Sequence, residues 1–334
     1  MDKSEFARSR ILITRPITDS GLDLLRQNYT LILNSTGRPL NRAELKRKVK
    51  NVNAILCFLN DKIDKEIMDL AGPNLKIIST FSTGYEHIDI EETNKRNIKV
   101  GYTGSVLTET TADLAFGLIL SAGRRIVEAD RLVRDGMWKH GWSPDLMVGT
   151  DIYGKTLGII GMGKIGSAIA KRAVGFGMNI LYTNRRGSNS ILSNNNKISH
   201  SKTMKYTDLY DVARESDYIV VCCSLNKDSY RMISHRFIYQ MKKSAFLINI
   251  SRGKIVNQKD LIRALTNKRI AGAALDVYED EPIQKNNPLI KMKNVVLLPH
   301  IGSASIDTRN KMSEIAASNI INVLEGNYEK ALLI

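Results

Sequence analysis

Short apolar runs punctuate the first hundred residues: 11–15 (ILITR), 30–34 (TLILN), 54–59 (AILCFL), 75–81 (LKIISTF) and 98–103 (IKVGYT). Each has strand length and aliphatic or β-branched character. Between them SGLDLLRQN and KEIMDLAG repeat their apolar positions at helical spacing. Strands alternating with helices predict a parallel sheet covered on both faces. The stretch 108–138 is helical in pattern but too apolar to lie on the surface throughout. It reads as a buried crossing helix followed by a more amphipathic one. GWSPDLMVGTDIYG (141–154) mixes turn residues with two apolar clusters and predicts an irregular arm.

A second strand–helix series opens at residue 156, with the runs TLGIIG, MNILYTN, YIVVCCS, AFLINIS, GAALDV and NVVLLPH. Six strands with helical pieces between them predict a doubly wound dinucleotide domain. Beyond Pro299 and His300 the chain turns helical again, at SIDTRNKMSEIAASNIINVLEG. That helix is expected to pack back on the first domain, closing a two-domain body around a cleft. A length of 334 residues suits two domains better than one core.

Composition narrows the class. Hydrophobic content of 43% and charged content of 25% are those of a globular protein. The N-terminus MDKSEFARSR is charged, unlike a secretory leader, and no apolar run is long enough to span a bilayer. The expectation is a cytoplasmic enzyme with no membrane partner. Three cysteines, Cys57, Cys222 and Cys223, form no CxxC pair, which disfavours a zinc site or a disulfide framework, and no metal is expected. The formal charge of +15 is scattered rather than massed in one arm, so it predicts attraction of anionic small molecules and no nucleic-acid partner.

The first chemical signal is LGIIGMGKIGSAIAKRAV, where Gly161, Gly163 and Gly166 follow an apolar strand and open an amphipathic helix. Gly161 suits the tight turn, Gly163 the approach of a pyrophosphate, and Gly166 the packing of the helix on the sheet. Met162, Lys164 and Ile165 complete the loop, and the helix N-terminus offers amides to phosphate. Eighteen residues past Gly166, where an acid usually binds the ribose, stand Asn184, Arg185 and Arg186. Replacing the carboxylate removes repulsion of a 2′-phosphate, and two guanidiniums can grip one. NADP(H) is the preferred cofactor, with NAD(H) possible.

The second signal is a set of three strand-end residues: Arg252 in INISRGKIVN, Glu281 in ALDVYEDEP and His300 in VVLLPHIGS. Carboxyl ends of strands line the ligand crevice of open α/β sheets, so the three can converge. Reduction of a 2-oxo acid calls for a proton donor, a carboxylate to orient it and a cation for the substrate carboxylate. His300, Glu281 and Arg252 suit those roles in turn. Each also has an ordinary alternative: Arg252 as a helix cap, Glu281 as one acid of a solvated turn, His300 as a packed ring. Among the other histidines only His87 lies near a candidate loop.

The motifs GMGKIGSAIA, NISRG, LDVYEDEP and LPHIGS, in that order, with FSTGYEHIDI and TGSVLTETTADLAFGLIL before them, resemble the D-isomer-specific 2-hydroxyacid dehydrogenase family over nearly the whole chain. Within it the chain is most similar to the glyoxylate/hydroxypyruvate reductase branch, which tends to use NADPH. The resemblance implies an α/β protein of two doubly wound parallel-sheet domains. A flavodoxin-like substrate domain would comprise 1–106 and 303–334, and a Rossmann NAD(P)-binding domain 107–302, with 108–150 forming a homodimer interface. It implies catalytic roles for Arg252, Glu281 and His300, and a substrate-carboxylate loop at Thr83 and Gly84. It places Asp276 at the nicotinamide carboxamide, Thr111 and Ser224 along the cofactor, and Gly302 and Ser303 near the nicotinamide. The implied reaction is reduction of glyoxylate and hydroxypyruvate to glycolate and D-glycerate. A phosphoglycerate- or D-lactate-type dehydrogenase and a dinucleotide-sensing corepressor share the fold and remain open. The Asn-rich loop 185–202 is expected to be mobile. Trp138 and Trp142 are expected to pack as buried apolar groups or, alternatively, to wall a neighbouring subunit's pocket.

Overall fold

The computed structural model describes residues 9–185, 187 and 204–334. Two compact units emerge: the described parts of Met1–Leu107 with Ser303–Ile334, and Thr108–Gly302.

The first unit is built on strands β1 (Arg10–Ile13), β2 (Thr30–Leu33), β3 (Ala54–Cys57), β4 (Ile77–Thr80) and β5 (Lys99–Gly101). Their order is β2-β1-β3-β4-β5 and every pairing is parallel. This is the flavodoxin-like order. Interior strands β3 and β4 are buried at every position, which is why they read as unbroken apolar runs rather than alternating ones. One face packs Leu12, Ile55 and Ile78 against Ile67 and Met68. The other packs Ile11, Ile13 and Ile77 against Leu25, Met312 and Ile320. The helix Ile306–Leu324 therefore returns to this sheet, where Ser79 Oγ donates to the Ala316 carbonyl at 2.9 Å. Helix starts follow their capping residues: Asn41, Asp64, Asp89 and Ser305 each accept a first-turn amide.

The second unit carries β6 (Thr156–Ile160), β7 (Asn179–Thr183), β8 (Met204–Tyr206), β9 (Tyr218–Val221), β10 (Phe246–Asn249), β11 (Gly272–Leu275) and β12 (Val295–Leu297). The order is β12-β11-β10-β9-β6-β7-β8, again all parallel, with a switch point between β6 and β9. The sheet has seven strands where the apolar runs predict six. The extra one, β8, is a short edge strand of sequence MKY with little burial, so no apolar run announces it.

Helix Thr108–Gly123 lies in this unit's core, with Ala115, Phe116 and Ile119 against Leu157, Ile248 and Ala274. The helix after it, Ile126–Arg134, buries none of its residues. Trp138 and Trp142 are not buried anchors. They are 52% and 81% exposed, on an irregular arm ahead of β6. Among the described residues, no helix is long and apolar enough to cross a membrane.

Candidate active site

Loops at the carboxyl ends of β10, β11 and β12 carry the three strand-end residues. Arg252 follows β10 and opens a short 3-10 turn, Gly253–Ile255. Its loop is tied down by Asn249, which is 1% exposed: Asn249 Nδ2 donates to the Arg252 carbonyl at 3.0 Å, and Asn249 Oδ1 accepts from Ser251 N at 3.1 Å. Next in the chain is a forced glycine. A Cβ on Gly253 would lie 1.8 Å from the Tyr278 carbonyl carbon. Only a residue without a side chain lets the Arg252 loop lie directly against the segment that leads to Glu281.

Glu281 is held at both oxygens. Oε1 accepts from the Tyr278 amide at 3.0 Å, and Oε2 lies 2.7 Å from His300 Nδ1. Burial alone would push this carboxyl up. The hydrogen bond and charge of His300, the Tyr278 amide and the charge of Arg252 outweigh it and hold Glu281 below the usual glutamate value. The effect of Arg252 on Glu281 brings the guanidinium into the same electrostatic neighbourhood as the pair. With Nδ1 occupied by a carboxylate, the proton that His300 can give away sits on Nε2.

His300 has φ +57, a left-handed backbone that costs a β-carbon-bearing residue strain. The turn is braced by Asp276, 1% exposed, whose two oxygens accept from Ile301 N and Gly302 N at 2.8 Å each. Burial pushes the Asp276 carboxyl up, against the lowering effects of those amides and of His300. Both Asp276 oxygens are thus engaged in shaping the His300 turn, a role that the resemblance, with its nicotinamide contact, does not suggest. Thr111 is buried beside the same turn, since a Cβ on Gly302 would meet its side chain at 3.5 Å.

Across the same sheet, the glycine turn after β6 fits a dinucleotide. Gly161 has φ +103, and a Cβ there would lie 2.5 Å from the Cys223 amide nitrogen. A Cβ on Gly166 would lie 2.3 Å from the Gly161 carbonyl oxygen, so the helix packs on the turn itself. Gly163 faces open space, and it caps the helix Lys164–Gly175 without any side-chain hydrogen bond to the first-turn amides. Those amides and the dipole end behind them remain available to an anion. Met162 is buried and its amide donates to Asn184 Oδ1 at 2.6 Å. Asn184 therefore braces the glycine turn from the end of β7. Lys164 and Arg185 are exposed, Ile165 is half-buried, and Ser224 is exposed at the end of β9. Arg186 and most of the Asn-rich loop lie outside the described residues.

In the first unit, Thr83 and Gly84 follow β4. Thr83 Oγ1 donates to the Gly104 carbonyl at 2.9 Å. The backbone amides of Thr83 and Gly84 donate to no acceptor among the described residues. Ser303 is half-buried where the chain re-enters this unit. Cys57, Cys222 and Cys223 are free thiols, and burial pushes all three up, which makes poor nucleophiles of them. Three contributors, Asn249, Gly253 and the bracing role of Asp276, escape a reading by residue type. They act through backbone groups, and the one signal for the first two is their place in the INISRG stretch.

A doubly wound dinucleotide sheet with a His–Glu pair and an arginine at its strand ends defines a class, the nicotinamide-dependent oxidoreductases. Residues 116–302 match the family described as "D-isomer specific 2-hydroxyacid dehydrogenase, NAD binding domain". Over 98% of this chain, it is 44% identical to the glyoxylate reductases of Thermofilum pendens and Korarchaeum cryptofilum, covering 95% and 96% of those proteins. Among solved structures, the TT0316 protein of Thermus thermophilus superposes with a TM-score of 0.89 at 37% identity, covering 97% of this chain and 100% of that one. The NADPH-dependent glyoxylate/hydroxypyruvate reductase of Sinorhizobium meliloti, solved with NADP and malonate, superposes at 0.82 with 31% identity over 95% and 94% of the two chains. The chain belongs to the D-isomer-specific 2-hydroxyacid dehydrogenase family and is an NAD(P)-dependent oxidoreductase.

Proposed function

We propose that this protein reduces glyoxylate and hydroxypyruvate, to glycolate and D-glycerate, with NADPH preferred over NADH. The observation that carries the chemistry is the 2.7 Å contact between His300 Nδ1 and Glu281 Oε2. A carboxylate on Nδ1 fixes the orientation of the ring and leaves its other N–H, at Nε2, on the side away from Glu281. A nicotinamide dinucleotide held at the glycine turn would supply the hydride that the carbonyl carbon of the oxo acid takes up. The chain's own residues do the rest. Arg252 pairs with the substrate carboxylate and polarises the carbonyl. The amides of Thr83 and Gly84 donate to the carboxylate oxygens. His300 passes its Nε2 proton to the carbonyl oxygen as it becomes a hydroxyl, and Glu281 keeps the ring in register throughout. Binding that aligns donor and acceptor supplies much of the rate.

The cofactor preference rests on charge. With Asn184 bracing the turn through Met162, the position that usually holds the ribose acid carries an uncharged amide that does not repel a 2′-phosphate, and Arg185 and Arg186 supply positive charge. The NADPH-dependent relative supports the same reading. The segment 108–150 is proposed as a homodimer interface, since Ile126, Val133, Trp138 and Trp142 leave a run of apolar surface uncovered on one chain. Steady-state kinetics test the whole reading: glyoxylate, hydroxypyruvate, pyruvate and 3-phosphohydroxypyruvate, each with NADPH and NADH. The highest kcat/KM is expected for the first two with NADPH. Cofactor binding without turnover on any of them would replace this reading with a sensor.

A further inference from the structure

The first unit holds a hydrogen-bond chain that none of the roles above uses. Thr80, the last residue of β4, is fully buried; its Oγ1 lies 3.0 Å from His87 Nε2 and 2.7 Å from Ser82 Oγ. Ser82 Oγ lies 2.5 Å from the Gly84 carbonyl oxygen. The direction of the chain is fixed from that end. A carbonyl only accepts, so the single hydroxyl proton of Ser82 goes to Gly84. Ser82 can then only accept from Thr80, and Thr80, having spent its proton on Ser82, can only accept from His87. His87 carries hydrogen on Nε2 and sits at the donor end. Its own backbone is tied to another part of the sheet edge, because its carbonyl accepts from Ile63 N at 2.9 Å.

This chain sorts the loop's polar groups. The Gly84 carbonyl is turned towards Ser82, and the Ser82 carbonyl is taken by Thr103 N at 3.0 Å. The carbonyls of Ser82 and Gly84 are thereby satisfied inside the unit. The amides of Thr83 and Gly84, donating to no acceptor among the described residues, are left for an anion. We propose that His87 is a positioning residue for the substrate carboxylate: it donates through Thr80 and Ser82 to the Gly84 carbonyl and so keeps the neighbouring amides presented. This rests on the reading of residues 83 and 84 as the carboxylate loop.

The test uses the full chain with NADPH and glyoxylate, and compares Thr80→Val, His87→Leu, His87→Gln and Thr83→Pro. Thr80→Val breaks the chain at its middle with little change of shape. His87→Leu removes the donor, His87→Gln restores an N–H near the Nε2 position, and Thr83→Pro deletes a presented amide. The expected result is a KM for glyoxylate raised about tenfold in Thr80→Val and His87→Leu, with kcat and NADPH affinity within about twofold of wild type. Most of the loss should return in His87→Gln. If His87→Leu does not fold, Thr80→Val decides. An unchanged KM in folded Thr80→Val, beside a raised KM in Thr83→Pro, overturns the relay and leaves the loop reading standing. An unchanged KM in Thr83→Pro as well overturns the loop reading and the relay with it. A parallel fall in kcat and cofactor affinity would make the chain a structural element only, and would also overturn the proposal.

Discussion

The loop edges of the two sheets solve opposite problems. At the ends of β10, β11 and β12, charged side chains are on offer and the backbone is held still behind them. Asn249 fixes the loop of Arg252, the Tyr278 amide fixes Glu281, and Asp276 fixes the left-handed turn at His300. After β4 the arrangement is inverted: backbone amides are on offer, and side chains, Ser82 through Thr80 and His87, hold the loop. The difference suits the two tasks proposed for them. Proton transfer and polarisation need charge, so a residue type must be spent on each. Receiving a carboxylate needs only N–H groups at the right angle, which every residue but proline has.

That contrast can be broken first where charge is greatest. Arg252→Ala should lower kcat/KM for glyoxylate by about 10³-fold, since both the carboxylate grip and the carbonyl polarisation go with it. Steady-state kinetics with saturating NADPH would read the loss, and a change under tenfold would remove Arg252 from the substrate. Next in size is Gly253→Ala. Its Cβ would fall 1.8 Å from Tyr278 backbone, so the Arg252 loop must leave the Glu281 segment. Thermal melting should show a loss of about 3 kcal/mol or more, beyond ordinary overpacking, with activity falling alongside. A near-native melt would mean the two loops part without cost.

A smaller effect is expected from Arg185→Ala combined with Arg186→Ala. Losing one or two charge-assisted contacts should weaken NADPH binding about tenfold or more while NADH changes little. Fluorescence titration of both cofactors measures it, and equal weakening would point to a general cationic surface instead of a phosphate grip. The smallest is a slope. Glu281 is held below the usual glutamate value in the fold, so its stabilisation is fully present above the unfolded-state value and is lost as pH falls through the depressed one. Asp276 is raised by burial and works in the other direction, its cost growing as pH rises through the acid range. Glu281→Gln isolates the first of these. The Tm difference between wild type and variant should hold steady above the ordinary glutamate value of 4.5 and shrink as pH falls below it. A constant difference would leave the His300–Glu281 contact without the energetic weight assigned to it.

The same contrast explains what could be read from the chain. Gly161, Gly163 and Gly166 stood out because a tight phosphate turn needs glycine, and Arg252, Glu281 and His300 stood out because charged residues after apolar strands are conspicuous. The parallel pairing of both sheets follows from alternation alone. Nothing in residue type marks Asn249, Ser82 or Thr80, since hydroxyls and amides abound and only their partners make them special. The carboxylate loop was suggested by family resemblance and not by its own chemistry. β8 is silent in the sequence for a related reason: an edge strand reading MKY buries too little to leave an apolar signature. Trp138 and Trp142 read as core by size, and among the described residues both are left exposed.

At the centre of the account stands the proton on His300 Nε2, placed there by a carboxylate 2.7 Å from Nδ1. Measuring kcat for glyoxylate reduction in His300→Ala, with NADPH affinity checked on the same preparation, tests it most directly. A fall of about 10² to 10⁴ with cofactor binding intact is predicted; turnover within a few fold of wild type would contradict it.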